Sequence, residues 1–245
     1  IRRQRQMCIR DRYGKTTQEI YPKLDKANVH IVDDLMYKHW DEWVSEIPHP
    51  FVADFDGEKL SNVTDLLEGE PYEAPMKPFG GMESLAWSPD SKQIVYVSRK
   101  KTGMEYSLST NSDLYLYDLA TKKTTNLTEG MMGYDTNPVF SPKGDKLAWL
   151  SMEHDGYESD KNRIFVMDMK SGEKTDLTTD WDYTANTITW NPNGKAIYFI
   201  APYHGPSPIF SIDVKSKKVT TVQDDMCDYQ SVVPVDDKKL IALRH

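Results

Sequence analysis

Cysteine is scarce in this sequence of 245 residues, which contains only Cys8 and Cys227. Two cysteines cannot form the set of disulfides that stabilises small secreted domains. Their wide separation also differs from the close spacing of zinc ligands. We therefore expect neither a disulfide framework nor a cysteine-based metal site.

The chain also lacks a long apolar run and an excess of positive charge. No stretch approaches the roughly 18 consecutive apolar residues of a transmembrane helix, so we expect no membrane span. The formal net charge is -8. Nucleic acids and membrane surfaces are themselves anionic, so this charge argues against either as a general partner.

Several catalytic motifs are missing as well. The sequence has no Gly-x-Ser-x-Gly nucleophile elbow, phosphate-binding loop, His-Glu-x-x-His zinc motif or Gly-x-Gly-x-x-Gly fingerprint. Its six histidines are scattered without the spacing of metal ligands, which favours surface or packing roles. We therefore predict no catalytic residue, no bound metal and no cofactor in this chain.

Residues 1–12 differ in composition from everything that follows them. They contain five arginines and one aspartate, and they show no helix or strand period. The string Met7-Cys-Ile-Arg-Asp-Arg12 resembles the translation of a sequencing adapter. We predict that 1–12 is a non-native segment; the alternative is a basic arm that binds an acidic partner.

A repeat of about 50 residues dominates the remaining sequence. Its copies begin with an aromatic residue and a Pro-containing turn, and the starts are 53 and 50 residues apart. These segments run from Trp87 to Ile94, from Phe140 to Leu147 and from Trp190 to Ile197, with a weaker copy from Val233 to Leu240. Each full copy continues with an apolar run, a polar loop, a second apolar run and a Thr-rich run. Each copy therefore predicts four short strands joined by turns.

Four antiparallel strands per repeat are typical of one propeller blade. A blade cannot bury both of its faces alone, so neighbouring blades must stack. We predict an all-β fold, a partial β-propeller with about three full blades and partial ones at each end. Residues 13–245 would form this partial N-terminal propeller domain. Trp87, Phe140 and Trp190 are expected to fill the layers between blades.

The region before the first full copy is less regular. Asp54 to Val63 fits the step of nine residues seen in the other copies, which predicts part of an earlier blade. Residues 33–44 fit either a short amphipathic helix or an irregular strand. Residues 68–79 are rich in proline and predict a connector with little secondary structure.

Strand alternation places the longest irregular segments, 99–113, 152–163 and 202–208, at one end of the blades. Loop-rich faces on rigid scaffolds tend to carry binding. Glu153 and Asp155 lie in the most charged of these loops, and Glu105 lies in the corresponding loop one repeat earlier. Their carboxylates are candidate substrate-binding groups; a calcium site in the 153–160 loop and a solvated loop are the alternatives.

The turn pattern Trp-Ser-Pro-Asp-Ser-Lys resembles the propeller repeats of TolB-like proteins and of prolyl oligopeptidase family serine peptidases. Longer strings resemble bacterial peptidases of the dipeptidyl peptidase 5 type. They are Asp34-Leu-Met-Tyr-Lys-His-Trp-Asp-Glu-Trp43, Pro48-His-Pro-Phe-Val-Ala-Asp54, Lys100-Lys-Thr-Gly-Met-Glu-Tyr106, Thr110-Asn-Ser-Asp113 and Asp155-Gly-Tyr-Glu-Ser-Asp-Lys-Asn-Arg163.

The resemblance implies a periplasmic or secreted parent exopeptidase that removes dipeptides from peptide substrates. Its propeller would gate and help to bind peptides for a C-terminal α/β-hydrolase domain, which lies outside this sequence and would supply the Ser, Asp and His of the catalytic triad. The alternative is a TolB-like binding propeller that acts as a protein-interaction module. Since an open arc of blades exposes apolar faces, we also expect the isolated chain to associate.

Overall fold

A computed structural model describes residues 22–24, 35, 37–44 and 47–245. The predicted non-native segment 1–12 lies outside the described residues. The described chain forms three four-stranded and three two-stranded sheets. Its only α-helix among these residues is short, so the predicted all-β class is confirmed.

The strands are β1 (Lys38–His39), β2 (Glu42–Trp43), β3 (Phe51–Phe55), β4 (Leu60–Asp65), β5 (Leu85–Trp87), β6 (Gln93–Ser98), β7 (Asp113–Asp118), β8 (Lys123–Asn126), β9 (Asp135–Phe140), β10 (Lys146–Ser151), β11 (Arg163–Asp168), β12 (Lys174–Asp176), β13 (Ile188–Trp190), β14 (Ala196–Ile200), β15 (Ile209–Asp213), β16 (Val219–Gln223), β17 (Tyr229–Asp236) and β18 (Lys239–Arg244). The helix α1 spans Gly103–Leu108, and short 3-10 turns cover Pro22–Leu24 and Met82–Ser84.

The chain divides into two compact units. The first unit comprises the described residues up to Gly80 together with 98–109, and the second comprises 81–97 and 110–245. The second unit holds blade 1 (β5–β8, apart from Ser98), blade 2 (β9–β12) and blade 3 (β13–β16), in each of which neighbouring strands follow chain order. The hairpin β17–β18 follows them and contains the weaker fourth copy. The predicted repeat of four-stranded blades is therefore confirmed, and the fold is a partial propeller.

The turn between the first two strands is the same in all three blades, as the Pro-containing motif predicts. The backbone N–H groups of Ser91, Gly144 and Gly194 donate to the carbonyls three residues earlier, at Ser88, Ser141 and Asn191. Each donor residue has a left-handed φ, of 58°, 72° and 71°. Glycine adopts this φ without strain, which explains its place in two of the three turns.

Blades 2 and 3 share one apolar layer. Trp190 is buried within it, and its indole Nε1–H donates to the carbonyl of Val139, on β9 of the preceding blade, at 2.9 Å. Phe140 is buried as well, as predicted. The prediction is wrong for Trp87, which is 42% exposed. Its blade is the first of the second unit, so no earlier blade of that unit covers the ring.

Two regions without a clear sequence prediction contain regular secondary structure. Within 33–44, the described residues form the hairpin β1–β2, which favours the strand alternative over the helix. Residues 33, 34 and 36 lie outside the description. Segment 99–113, predicted to be irregular, contains α1; Tyr106 on its inner side is buried and bonds to Glu73. Residues 68–79 contain neither helix nor strand, which confirms the connector.

The hairpin β17–β18 exposes an apolar surface. Val233 and Val235 on β17 and Ile241 and Leu243 on β18 are each 55–65% exposed. By contrast, Tyr229 and Val232 are buried against Ile200 and Ile209 of blade 3. The hairpin therefore stacks on blade 3 as a further blade would. Association of the isolated chain, expected from an open arc, stays a prediction that this surface supports.

Candidate functional site

The long loops of the second unit meet at one end of the blades. The N–H of Met152, after β10, donates to the carbonyl of Tyr134, before β9, at 3.1 Å. The N–H of Ala185 donates to the carbonyl of Asn162 at 3.0 Å, so the loop 152–163 of blade 2 is bonded to the inter-blade segments on both of its sides. In blade 3, the carbonyl of Ser207 in the loop 202–208 accepts the N–H of Tyr229 at 3.1 Å. The predicted loop-rich end is therefore present, and we call it the loop face.

Asp155 fastens the charged loop of blade 2 to blade 1. Its Oδ1 accepts hydrogen bonds from the backbone N–H groups of Thr110 at 2.7 Å and Asn111 at 3.1 Å. In return, the Thr110 hydroxyl accepts a bond from the N–H of Gly156 at 2.8 Å. The carboxylate that the sequence suggested as a ligand for substrate thus holds two loops together.

Asp160 stabilises the same loop through hydrogen bonds to residues within it. Its Oδ2 accepts bonds from the N–H groups of Glu153 and His154 and lies 2.9 Å from His154 Nδ1. Partial burial acts to raise the pKa of Asp160, but the bonds from the His154 side chain and these N–H groups lower the pKa to about 2. Among the described residues, no group of three or more His, Cys, Asp or Glu side chains is arranged to hold a metal.

Glu153 is exposed like Asp155, but its carboxylate lies beside an arginine. The side chain is 59% exposed, and its Oε2 lies 3.5 Å from the guanidinium of Arg163. Arg163 is largely buried: it also donates to the carbonyl of Met152 and covers the ring of Phe165. Glu153 is therefore a positioned but accessible carboxylate on the loop face.

Glu105 belongs to the first unit and is exposed on α1. The neighbouring Tyr106 points inward, where its hydroxyl bonds to the buried carboxylate of Glu73. The same carboxylate lies 3.1 Å from His39 Nε2, on the hairpin β1–β2. Glu73 thus ties α1 and the hairpin to the Pro-rich connector. Sequence reasoning missed it, since no pattern in the connector singles out one glutamate among several.

The inner strands β5, β9 and β13 line a cavity of about 650 Å³. Its walls include Trp87, Phe140 and Trp190, together with prolines and small polar residues. Glu83 is the only ionisable residue of the lining, and its carboxylate accepts the N–H of Gly81. Ser141 also lines the cavity, and its hydroxyl donates to Asp145 Oδ1 at 2.8 Å within the first turn of blade 2.

We expect Asp155→Ala to loosen the charged loop, because two backbone N–H groups lose their acceptor. The loss should lower the free energy of unfolding by about 1 to 2 kcal/mol and accelerate proteolytic cleavage at Lys161. Urea denaturation and limited proteolysis measure both effects. Asp155→Asn keeps an oxygen acceptor and is the matched control. Equal cleavage rates for the alanine variant and the unsubstituted chain would show that Asp155 does not hold the loop.

Comparison with known proteins agrees with this geometry. The family model described as the TolB β-propeller domain matches residues 51–245. Dipeptidyl-peptidase 5 of Porphyromonas gingivalis is 50% identical over 96% of this chain, and that of Porphyromonas endodontalis is 53% identical over 85%. Acylaminoacyl peptidase of Pyrococcus horikoshii has the same fold over 90% of this chain, with a TM-score of 0.62 at 16% identity.

The chain spans only part of these proteins. It covers 34% and 30% of the two dipeptidyl-peptidases and 31% of the archaeal peptidase. No helix in the described ranges is long and apolar enough to cross a bilayer. The matched range includes all three full blades and the hairpins on either side of them. The chain therefore belongs to the TolB β-propeller domain family.

Proposed function

We propose that this chain is the propeller portion of a serine exopeptidase of the dipeptidyl-peptidase type. The observation that carries the proposal is 50% identity to a dipeptidyl-peptidase 5 over 96% of the chain. In the proposed arrangement, an α/β-hydrolase domain of the same longer polypeptide provides the catalytic Ser, Asp and His. The propeller restricts access to small peptides and helps to bind them. Such an enzyme would work outside the cytoplasm, in the periplasm or as a secreted protein.

Within this proposal, the exposed carboxylates of Glu105 and Glu153 contact the substrate, and Asp155 positions the loop that carries Glu153. A carboxylate facing solvent can pair with the ammonium group of a peptide N-terminus. The 3.5 Å separation from Arg163 limits where the Glu153 carboxylate can lie, so less side-chain freedom is lost on binding.

The test uses the longer polypeptide and the 245-residue chain side by side. We expect the longer polypeptide to release dipeptides from a chromogenic dipeptide amide and to leave casein intact, and we expect the shorter chain to be inactive. Glu153→Gln should raise KM for a substrate with a free amino terminus by about tenfold, the effect of losing a charged pair. A longer polypeptide without a hydrolase domain would instead favour the second candidate.

The second candidate is a TolB-like binding propeller that acts as a protein-interaction module. The observation that favours it is the family match itself, which covers residues 51–245 with a TolB propeller description. In this case the loop face would bind a protein partner, and neither form of the chain would release dipeptides.

A further inference from the structure

An aromatic patch stands on the loop face beside blade 3. We define it as Trp181, Tyr183, Tyr203 and His204. The ring of Tyr203 lies 4.8 Å from that of Tyr183 and 4.2 Å from that of His204. These rings meet at steep angles of 59° and 73°, and Trp181 stacks on Tyr203 with centroids 6.1 Å apart. The patch therefore presents ring faces in more than one direction.

Acidic side chains alternate with the aromatic ones along this segment. Asp180 and Asp182 are exposed, whereas Trp181 and Tyr183 are half-buried against the loop. The rings of Trp181 and Tyr203 pack on Phe210 of blade 3, whereas the side chains of Asp180 and Asp182 face solvent. Lys161 lies nearby, but its ammonium donates to the carbonyl of Trp181. The patch thus combines three half-buried rings and the exposed His204 with two solvent-facing negative charges.

Tyr183 has no counterpart in the preceding blade seam. Trp181 corresponds to Met131 of the preceding inter-blade turn, since both N–H groups donate to the carbonyl three residues earlier. Tyr183 therefore corresponds to Gly133, where an added Cβ would lie 1.9 Å from the carbonyl oxygen of Met152. A side chain therefore does not fit at this position before blade 2, whereas a tyrosine fits at the corresponding position before blade 3.

The backbone beside the patch forms a tight loop tip. His204 has a left-handed φ of 52°, and the following Gly205 has a φ of 117°. Ser91 and Lys122 have a similar φ in ordinary turns, and histidine is among the residues that adopt it more readily. Here the conformation sets the imidazole ring against Tyr203. The rings and the flanking carboxylates therefore coincide at this loop tip.

We infer that the aromatic patch binds the guanidinium group of an arginine side chain in a peptide. A guanidinium is planar and stacks on an aromatic face, and its N–H groups match a carboxylate. Tyr203 and Tyr183 would supply the faces, and Asp180 and Asp182 the charge. The inference rests on the proposed function only in taking a peptide as the ligand. It concerns an internal side chain and not the amino terminus.

The test titrates the dilute 245-residue chain with two blocked peptides and follows tryptophan fluorescence. The peptides are acetyl-Ala-Ala-Arg-Ala-Ala-amide and the same sequence with citrulline, which has the shape of arginine without its charge. We expect the arginine peptide to bind at least about fivefold more tightly, as cation–π and charge contacts together predict. Trp181→Phe should remove most of the fluorescence change.

Three variants separate the patch from general electrostatics. Tyr203→Ala and Asp180→Asn/Asp182→Asn should each abolish the preference for arginine, whereas Tyr203→Phe keeps the ring face and should retain it. Glu173→Gln/Asp237→Asn removes the same charge from exposed hairpin turns and should change nothing. Equal affinity for arginine and citrulline, or a preference that survives Tyr203→Ala, would overturn the inference. Neither result bears on dipeptide release, so the proposed function is tested separately.

Discussion

Asp135→Asn should stabilise the protein by roughly 2 kcal/mol at about pH 8 and have little effect at about pH 4. Asp135 begins β9 and is fully buried. Its Oδ1 accepts the indole N–H of Trp149 at 2.9 Å, and its Oδ2 is buried with no partner among the described residues. A carboxylate in this setting costs far more than a neutral carboxyl group.

Burial raises the pKa of Asp135 to about 7, against the opposing influence of the Trp149 indole N–H and of the nearby Ser151 and Thr128 hydroxyls. The nearby carboxylate of Asp113 raises it further. Because the folded-state pKa lies above the unfolded one, the folded state holds a proton that the unfolded chain releases. The stabilisation that comes from protonated Asp135 is therefore fully present below about pH 4 and is lost as the pH rises through about 7.

Asparagine at position 135 keeps the oxygen that accepts from Trp149 and cannot ionise. We expect thermal melts of the unsubstituted chain to fall steadily between about pH 4 and 8, and those of Asp135→Asn to fall much less. Asp113→Asn is the control: it removes a like charge, so it should move the midpoint of the fall to lower pH without abolishing it. Parallel curves for the unsubstituted chain and Asp135→Asn would show that Asp135 does not titrate in this range.

Trp190→Ala should cost about 3 to 5 kcal/mol of unfolding free energy, the range for removing a buried aromatic side chain. Trp190 is 4% exposed and fills the apolar layer between blades 2 and 3. The substitution would also remove its bond to Val139 across the seam. A cavity would then open between two stacked sheets, where neither can collapse without moving the whole blade.

Trp87→Ala is the matched control, because Trp87 occupies the same place in the repeat and is 42% exposed. We expect its cost to stay below about 1.5 kcal/mol, since less surface leaves the core and no cavity forms. Urea denaturation at one pH measures both variants. Similar costs for the two substitutions would mean that the seam between blades 2 and 3 is not a packed core.

The sequence alone predicts the four-stranded blades, because each blade repeats the same pattern of turns and apolar runs. Gly144 and Gly194 mark left-handed turn positions, and the apolar runs after them become the buried strands β10 and β14. These signals act over a few residues, so a single sequence displays them. The same reasoning placed the loops 152–163 and 202–208 at one end of blades 2 and 3, where the structure also has them.

Contacts between blades could not be predicted in the same way. The partners of Asp155 lie 44 and 45 residues earlier in the chain, and nothing in the loop indicates that its carboxylate will meet them. Trp87 begins the same kind of Pro-containing turn as its buried counterparts, yet its burial depends on which sheet precedes it. Charge alone likewise could not distinguish the exposed Glu153 from the engaged Asp155 and Asp160. Such differences depend on long-range packing, which a repeat pattern does not encode.

Exchange of the tryptophan indole protons tests blade stacking most directly. In D2O, followed by NMR, the indole proton of Trp190 should persist, because it is buried and bonded to β9 of the neighbouring blade. The half-exposed Trp87, its counterpart in blade 1, lacks such cover and should lose its proton within the first spectra. Loss of the Trp190 proton as fast as that of Trp87 would contradict the stacked propeller.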